Sequence, residues 1–346
     1  MNLITKLIVA QIMVWLFCLV SPAQSQPAAR PEYLKFDDPP CAQVSKPTTK
    51  LNVSIWNSRK DEYVRNLRAE DLDINIDKEV KSLSSLRFRD EPISVGLIID
   101  LSESMGGTFR GWKSTAIPLA IEGLKHFINQ SNPKDEYFIL GFSTSIFGFV
   151  EFSDDTKIIL PALDEAPKTL LTGGTNLFDA LNVGLNKISY GKYERRILIL
   201  LSDGLENASK KYDHKKFQKN LRQCSDVNIF MIDTSGSQWL NAIHTNVTNT
   251  DATNNHMINT NVTYTASPDR TIGPIEDSGG RVFKESTPAG VKKAFESLVN
   301  ELRNQYVLEI ATPNSNKDSW RKMKFNLKLP KEAGKFVVRS PKGCFC

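Results

Sequence analysis

Four short apolar runs in the middle of the chain predict buried β-strands. They are "ISVGLIID", "EYFILGFS", "RILILLSDG" and "VNIFMID", and each is nearly continuous until a polar residue ends it. Strands of a parallel sheet show this pattern because both of their faces are covered. The stretches between them carry apolar residues at helical spacing, as in "WKSTAIPLAIEGLKHFINQ". Strands that alternate with helices predict an α/β fold with a doubly wound, mostly parallel, Rossmann-like sheet.

Both ends of the chain have a different texture. Short segments of alternating apolar and polar residues, such as "LDINID" and "RKMKFNLKLP", predict half-buried strands. We expect the two ends to pack together as a small β-sandwich-like module into which the α/β domain is inserted. The predicted order is a signal peptide at 1–25, a leader or linker at 26–48, a β-segment at 49–91, the α/β domain at 92–304 and a second β-segment at 305–346.

The amino terminus resembles a secretory signal. Lys6 precedes an apolar run from Leu7 to Val20, and small residues allow cleavage after Ser25. The run is shorter than the ~20 residues that a transmembrane helix needs, so an uncleaved anchor is the alternative. We therefore expect a secreted or periplasmic protein without an integral membrane segment after cleavage.

Four cysteines remain after signal cleavage, namely Cys41, Cys224, Cys344 and Cys346. An even number in an oxidising compartment permits disulfides, and three pairings are open. A bridge between the two ends of the chain is one of them, while Cys224 also fits a buried thiol at a helix end. Their spacing does not match a zinc site.

Residues 240–271 are crowded with Asn and Thr, and we expect a long loop or insertion there, after the fifth strand. They include glycosylation sequons at Asn246 and Asn261. The net charge of +5 is small beside 44 basic and 39 acidic residues, and no basic stripe is interleaved with aromatics. A nucleic-acid partner is therefore not expected.

Oxygen-bearing side chains gather where the predicted strands end. Asp100, Ser102 and Ser104 follow one strand, Asp203 follows another, and Thr175 lies on a glycine-flanked loop before a helix. In an open α/β sheet, ligands bind beyond the carboxyl ends of the strands. Carboxylates and hydroxyls suit Mg²⁺, with Mn²⁺ or Ca²⁺ as alternatives. Two carboxylates balance the charge of such an ion but do not fill its coordination shell, so an acidic side chain from a partner could enter.

The segments "IIDLSESM", "TGGTNLFDAL" and "ILLSDG" resemble the metal-ion-dependent adhesion site of von Willebrand factor type A domains. The resemblance covers about 92–304. The β-segment before it and the ending "QYVLEI…VVRSPKG" resemble secreted bacterial proteins of the acidobacterial-related type. The resemblance implies that the first-loop serines bind the metal directly, that Thr175 does so when a partner is bound, and that Asp203 acts mainly through water.

Residues beside these ligands would form the rim that a partner touches, namely Glu103, Gly174 and Asn176. Asp179 is expected as an early-helix residue favoured by the helix dipole, with a hydrogen bond toward the site as the alternative. Asp233 ends a strand without hydroxyls after it, so we do not include it.

An enzyme is not predicted. The chain has no G-x-S-x-G elbow, and Ser102 stands where an aspartyl phosphatase would have its second aspartate. Metal-assisted hydrolysis would also need a base, and none stands near the ligands in the sequence. The sequence therefore predicts a module that binds another protein, one presenting an Asp or Glu, through a divalent metal. A structural or assembly scaffold whose metal only stabilises the fold is the alternative.

Overall fold

A computed structural model describes residues 32–33, 48–81, 83–88, 90–106, 108–109, 112–113, 116–169, 173–224, 226–234, 269–285, 287–311 and 319–345. The strands are β1 (Glu32–Tyr33), β2 (Thr48–Asn57), β3 (Glu62–Tyr63), β4 (Leu72–Ile76), β5 (Glu79–Lys81), β6 (Leu83–Phe88), β7 (Ser94–Asp100), β8 (Thr108–Phe109), β9 (Trp112–Lys113), β10 (Glu136–Phe142), β11 (Ile146–Ser153), β12 (Arg196–Ser202), β13 (Val227–Asp233), β14 (Val282–Lys284), β15 (Gln305–Ala311), β16 (Trp320–Leu327), β17 (Phe336–Arg339) and β18 (Gly343–Phe345). The α-helices are α1 (Glu103–Gly106), α2 (Ala116–Gln130), α3 (Thr156–Glu165), α4 (Leu177–Ile188), α5 (His214–Gln223), α6 (Asp269–Asp277) and α7 (Pro288–Arg303).

The central sheet has the strand order β1-β11-β10-β7-β12-β13-β14. Its strands from β10 to β14 in this order run parallel, whereas β11 and β1 are antiparallel additions at one edge. The chain winds from β7 to β10 on one side and then returns to β12 on the other side. The winding direction therefore reverses between β7 and β12, which is the switch point where such sheets bind ligands.

Apolar side chains cover both faces of this sheet. Every residue of β7, β10 and β13 is buried, as the continuous apolar runs predicted. One buried cluster joins the sheet to α2, α3 and α7, and a second joins its other face to α4, α5 and α6. The predicted α/β fold with a mostly parallel sheet is confirmed.

The predicted helices form, with one difference at the start of α2. The sequence pattern suggested a helix from Trp112, but α2 begins at Ala116. Trp112 and Lys113 instead form β9, which pairs with Phe109 and Thr108 of β8. A small two-stranded ribbon therefore follows α1.

Strands from the two ends of the chain pair with each other in two further sheets, which we call the terminal sheets. The first has the order β17-β2-β15-β6 with β3 beside β2, and the second has the order β18-β16-β4-β5. One buried apolar cluster draws on both, including Leu51, Ile74, Leu308 and Met323. The pairing of the ends is thus a structural fact, whereas the sandwich-like arrangement and the domain bounds stay predictions.

A buried glutamate connects the terminal sheets to the α/β domain. Glu301 of α7 is fully buried and accepts a hydrogen bond from the Ser54 hydroxyl of β2 at 3.2 Å. Its carboxylate also lies 2.9 Å from the Arg281 guanidinium and 3.2 Å from that of Arg339 on β17. A buried charge is tolerated only when it is paired, and the two arginines and the serine provide this pairing for the Glu301 carboxylate.

Other predictions fall partly outside the described residues. The signal peptide lies outside them, as does the Asn/Thr-rich segment up to residue 268, but its last residues begin α6. Within the predicted leader, Glu32 and Tyr33 form β1 and pair with Gly148 and Phe147 of β11. In the part of the chain that is described, no helix is both long and apolar enough to cross a membrane. Cys224 and Cys344 are fully buried, and the disulfide pairing stays a prediction.

Candidate functional site

The carboxylate of Asp100 lies at the carboxyl end of β7 and is fully buried. One of its oxygens accepts a hydrogen bond from the Ser102 amide at 2.9 Å, and the other accepts one from the Ser202 hydroxyl at 2.6 Å. Ser202 ends β12, and its hydroxyl also accepts a hydrogen bond from the Gly204 amide. Asp100 is therefore held from both strands that flank the switch point.

The two serines that follow Asp100 face each other. Their hydroxyl oxygens, on Ser102 and Ser104, are 3.1 Å apart. The chain turns into α1 between them, and the Met105 amide donates to the Ser102 carbonyl at 3.0 Å. Ser102 is buried and Ser104 is half-buried, and the turn brings their two hydroxyls to the same place.

Asp203 comes directly after β12 and is only 1% exposed. Its Oδ1 accepts a hydrogen bond from the Leu205 amide at 3.0 Å. Its Oδ2 is buried without a hydrogen-bond partner among the described residues. The turn that places it depends on Gly204, whose φ of 75° is costly for other residues. A buried carboxylate oxygen without a donor is unfavourable, and a bound cation would satisfy it.

The electrostatics of the site are those of two like charges out of water. Burial and, to a lesser degree, the negative charge of Asp203 together raise the pKa of Asp100 to about 7. Burial also raises the pKa of Asp203, against the effect of the Ser104 hydroxyl and the Leu205 amide. The negative charge of Asp233, at the end of the next strand, adds to this rise. A positive charge nearby would favour the ionised form of both carboxyl groups.

Thr175 lies on the loop that leads into α4 and is 3% exposed. Its amide donates to the Asn207 side-chain oxygen at 2.7 Å, and its carbonyl accepts from the Asn207 and Ala208 amides at 3.1 Å each. Two glycines permit this close approach. Gly173 has a φ of 126°, and a Cβ on Gly174 would lie 2.3 Å from the Asn207 oxygen.

The sequence-predicted ligands thus come together on three loops at one edge of the sheet. On the first loop, Asp100 and Ser104 interact with Asp203, and Ser102 contacts both of them. Thr175 is bonded to the loop that follows Asp203.

The three rim residues differ in exposure. Glu103 is exposed at the start of α1 and Gly174 is half-buried. Asn176, in contrast, is 2% exposed, and its amide points inward to the Thr144 carbonyl at 3.4 Å. Asn176 is the N-cap residue of α4, and because its side chain is buried it does not form an exposed rim.

Several residues of the site were not expected from the sequence. Ser202 donates to Asp100, and Glu206 and Asn207 bind the loop that carries Thr175. Asp179 lies in the first turn of α4 as expected, and its buried carboxylate also accepts hydrogen bonds from three amides of residues 210–212, on the loop that follows Asp203. The sequence signal that could have indicated them is the run "SDGLEN", in which the polar residues Glu206 and Asn207 follow soon after the turn glycine.

These residues fit a hard divalent cation. The donors are two carboxylates and neutral hydroxyls, and oxygen donors of this kind suit Mg²⁺, Mn²⁺ or Ca²⁺. Asp203 Oδ2 is the orphaned atom that such an ion would satisfy. The described residues contain no cluster of three or more His, Cys, Asp or Glu side chains that could hold a metal ion.

Residues 95–206 match the family described as von Willebrand factor type A domain. The chain therefore contains such a domain, and the resemblance drawn from the three loop motifs is confirmed at this level. The closer resemblance to secreted acidobacterial-type proteins stays a prediction. Among curated proteins, none matches the chain.

Distant likenesses to solved structures were also found. An aerotolerance-related membrane protein from Bacteroides fragilis is 12% identical, with a TM-score of 0.43, over 60% of this chain and 98% of that one. The PilB minor pilin from Streptococcus sanguinis is 12% identical, with a TM-score of 0.44, over 74% and 87%. The vWF domain of the type V pili tip protein Mfa5 from Porphyromonas gingivalis is 23% identical, with a TM-score of 0.28, over 33% and 38%. Sequence identities and TM-scores this low do not allow a function to be transferred to this chain.

Proposed function

We propose that this protein is an interaction module that binds another protein through a divalent metal ion held by its von Willebrand factor type A domain. The observation that carries the proposal is the pair of buried carboxylates at the switch point, Asp100 and Asp203, of which one oxygen has no partner among the described residues. Two buried like charges destabilise the fold unless something neutralises them. A cation-binding role explains why they are there.

The residues divide the work by their chemistry. Asp100 and Asp203 supply the negative charge, and the hydroxyls of Ser102, Ser104 and Thr175 supply neutral oxygens. A divalent ion bound there would offer a coordination position to a carboxylate oxygen from outside the chain. Mg²⁺ is the first candidate because it prefers oxygen ligands and keeps part of its shell for other groups, and Mn²⁺ or Ca²⁺ are alternatives.

The partner that suits this site is a protein that presents an Asp or Glu side chain. Glu103 is exposed beside the two serines, and its charge would favour partners whose remaining surface is not acidic. We place this interaction outside the cytoplasm, because the amino terminus resembles a secretory signal.

Calorimetric titration with Mn²⁺ and Mg²⁺ tests the metal. We expect binding by the native protein and its loss in Asp100→Ala and Ser102→Ala. Ser189→Ala is the matched control, because it removes a hydroxyl at the opposite end of α4 from Thr175. Equal binding by all four proteins, or no binding by the native one, would contradict the proposed metal centre.

A second measurement separates a binding module from a scaffold. Mn²⁺ bound at an accessible site should accelerate the relaxation of acetate methyl protons, because acetate then acts as a minimal partner carboxylate. We expect this effect with the native protein and not with Asp100→Ala. Tight Mn²⁺ binding without any effect on acetate would favour the alternative, an ion that only stabilises the fold.

A further inference from the structure

Two of the three loops at the site are hydrogen-bonded to each other through Thr175. The second loop comprises residues 173–176 and leads into α4, and the third loop comprises residues 203–212. The carbonyl of Thr175 accepts two amides of the third loop, and its own amide donates to the side chain of Asn207. Thr175 is therefore attached at both of its backbone polar groups.

Glu206 adds to this attachment by binding the start of α4. It is 4% exposed, and its Oε2 accepts hydrogen bonds from the Leu177 and Phe178 amides at 2.8 and 3.1 Å. These are the first amides of α4, where a negative charge also interacts favourably with the helix dipole. Its Oε1 accepts from the Ala208 and Ser209 amides at 2.9 and 2.8 Å. One carboxylate thus ties the start of α4 to the third loop.

Asp179 makes a similar connection from within the first turn of α4. Its carboxylate accepts hydrogen bonds from the Lys210 amide at 2.8 Å and from the Tyr212 amide at 2.7 Å. The hydroxyl of Ser209 accepts from the Phe178 and Asp179 amides in the other direction. The first turn of α4 and the third loop therefore each contribute side-chain acceptors to the backbone of the other.

We infer that Asn207 and Glu206 are positioning residues that lock the second and third loops into one unit, so that Thr175 keeps a fixed place relative to Asp203. This inference rests on the proposed function, because a fixed position of Thr175 matters for binding only if Thr175 is a metal ligand. A partner then meets a preorganised centre, in contrast to the family expectation that Thr175 moves to engage the metal. Any opening of the site must move the second and third loops together against the first.

Mn²⁺ affinity in Asn207→Ala tests the lock. This variant removes the acceptor of the Thr175 amide, and loss of such a supporting group typically costs 10–100-fold in metal affinity. Asn220→Ala is the matched control, since it removes a 2.7 Å hydrogen bond to Asn182 between α5 and α4, away from the loops. We expect roughly tenfold weaker binding in the first variant and native binding in the control.

A double variant distinguishes positioning from general damage. If Asn207 acts through Thr175, Asn207→Ala should cause no further loss of Mn²⁺ affinity when it is added to Thr175→Ala. Asn207→Asp keeps an acceptor oxygen for the Thr175 amide and should retain at least native affinity. Additive losses in the double variant, or native affinity in Asn207→Ala, would overturn the inference.

Hydrogen exchange of the metal-free protein keeps this inference separate from the proposed function. In Asn207→Ala we expect faster exchange of the Thr175 amide, with native exchange in Asn207→Asp and Asn220→Ala. If the native protein bound no Mn²⁺, the proposed function would fail. The exchange rate of the Thr175 amide would then be the remaining test of whether Asn207 holds the two loops together. Unchanged exchange at Thr175 in Asn207→Ala would show that the loops are not locked by this residue.

Discussion

Asp100→Asn should stabilise the metal-free protein, although it removes a charged residue from the centre of the site. The native carboxylate is fully buried beside Asp203, and burial together with that negative charge raises its pKa from 3.8 to about 7. The ionised form is therefore unfavourable in the folded state. An amide has nearly the same shape, and it carries no charge to be desolvated or repelled.

The pKa sets the direction and the size of the effect. Between pH 3.8 and about 7 the folded state keeps a proton that the unfolded state has lost, so the free energy of unfolding falls as the pH rises through this window. Above it, the accumulated cost is roughly 4 kcal/mol. The amide leaves the Ser202 hydroxyl without its acceptor, at a cost of about 1 kcal/mol. We therefore expect a net gain of roughly 2–3 kcal/mol.

Urea unfolding followed by tryptophan fluorescence measures this gain. In EDTA at about pH 8 the variant should be more stable than the native protein, and at about pH 5 most of the difference should disappear. Added Mg²⁺ should stabilise the native protein alone, because a ligand stabilises only the state that binds it. The reasoning is refuted if Asp100→Asn is less stable than the native protein in EDTA at the higher pH.

Three further substitutions test the packing of the fold away from the site. Glu301→Ala should lower the free energy of unfolding by roughly 2–4 kcal/mol, because two arginines lose a buried counter-charge. Urea unfolding at low and high salt measures this loss, and a loss that disappears at high salt would indicate a surface ion pair instead. Gly280→Ala should prevent folding, since its Cβ would lie 1.7 Å from the Ile229 carbonyl oxygen, and a native circular dichroism spectrum would disprove this clash. Gly273→Ala, with nothing within 4 Å, should raise stability by about 0.5–1 kcal/mol, and a lower melting temperature would contradict the helix there.

The parts of the fold that follow from local pattern were predictable. The strands β7, β10, β12 and β13 are continuous apolar runs because helices cover both of their faces. β11 has an irregular burial pattern and β1 has only two residues, so neither carries a clear period. The ribbon of β8 and β9 replaces the expected first turn of α2, and the helix begins only at Ala116, just before its first apolar position at Ile117.

The site shows the same division between local and distant information. Asp100, Ser102 and Asp203 could be grouped because the carboxyl ends of neighbouring parallel strands lie side by side. The lock through Glu206 and Asn207 depends on side chains that reach the backbone of a loop about 30 residues away, and no spacing rule encodes such a contact. The burial of Asn176 was missed for the same reason, since the residue after a loop ligand can turn either way.

The pairing of β2 with β15 implies an order of events during folding. Ser54 pairs with Gln305, so β2 must wait for a partner that is synthesised after the whole α/β domain. Closing so large a loop is slow and entropically costly in an unfolded chain. An α/β domain that folds first shortens the loop, because Phe88 before it and Tyr306 after it end opposite each other on β6 and β15. The terminal sheets then assemble last, and their completion signals that the domain between them is already folded.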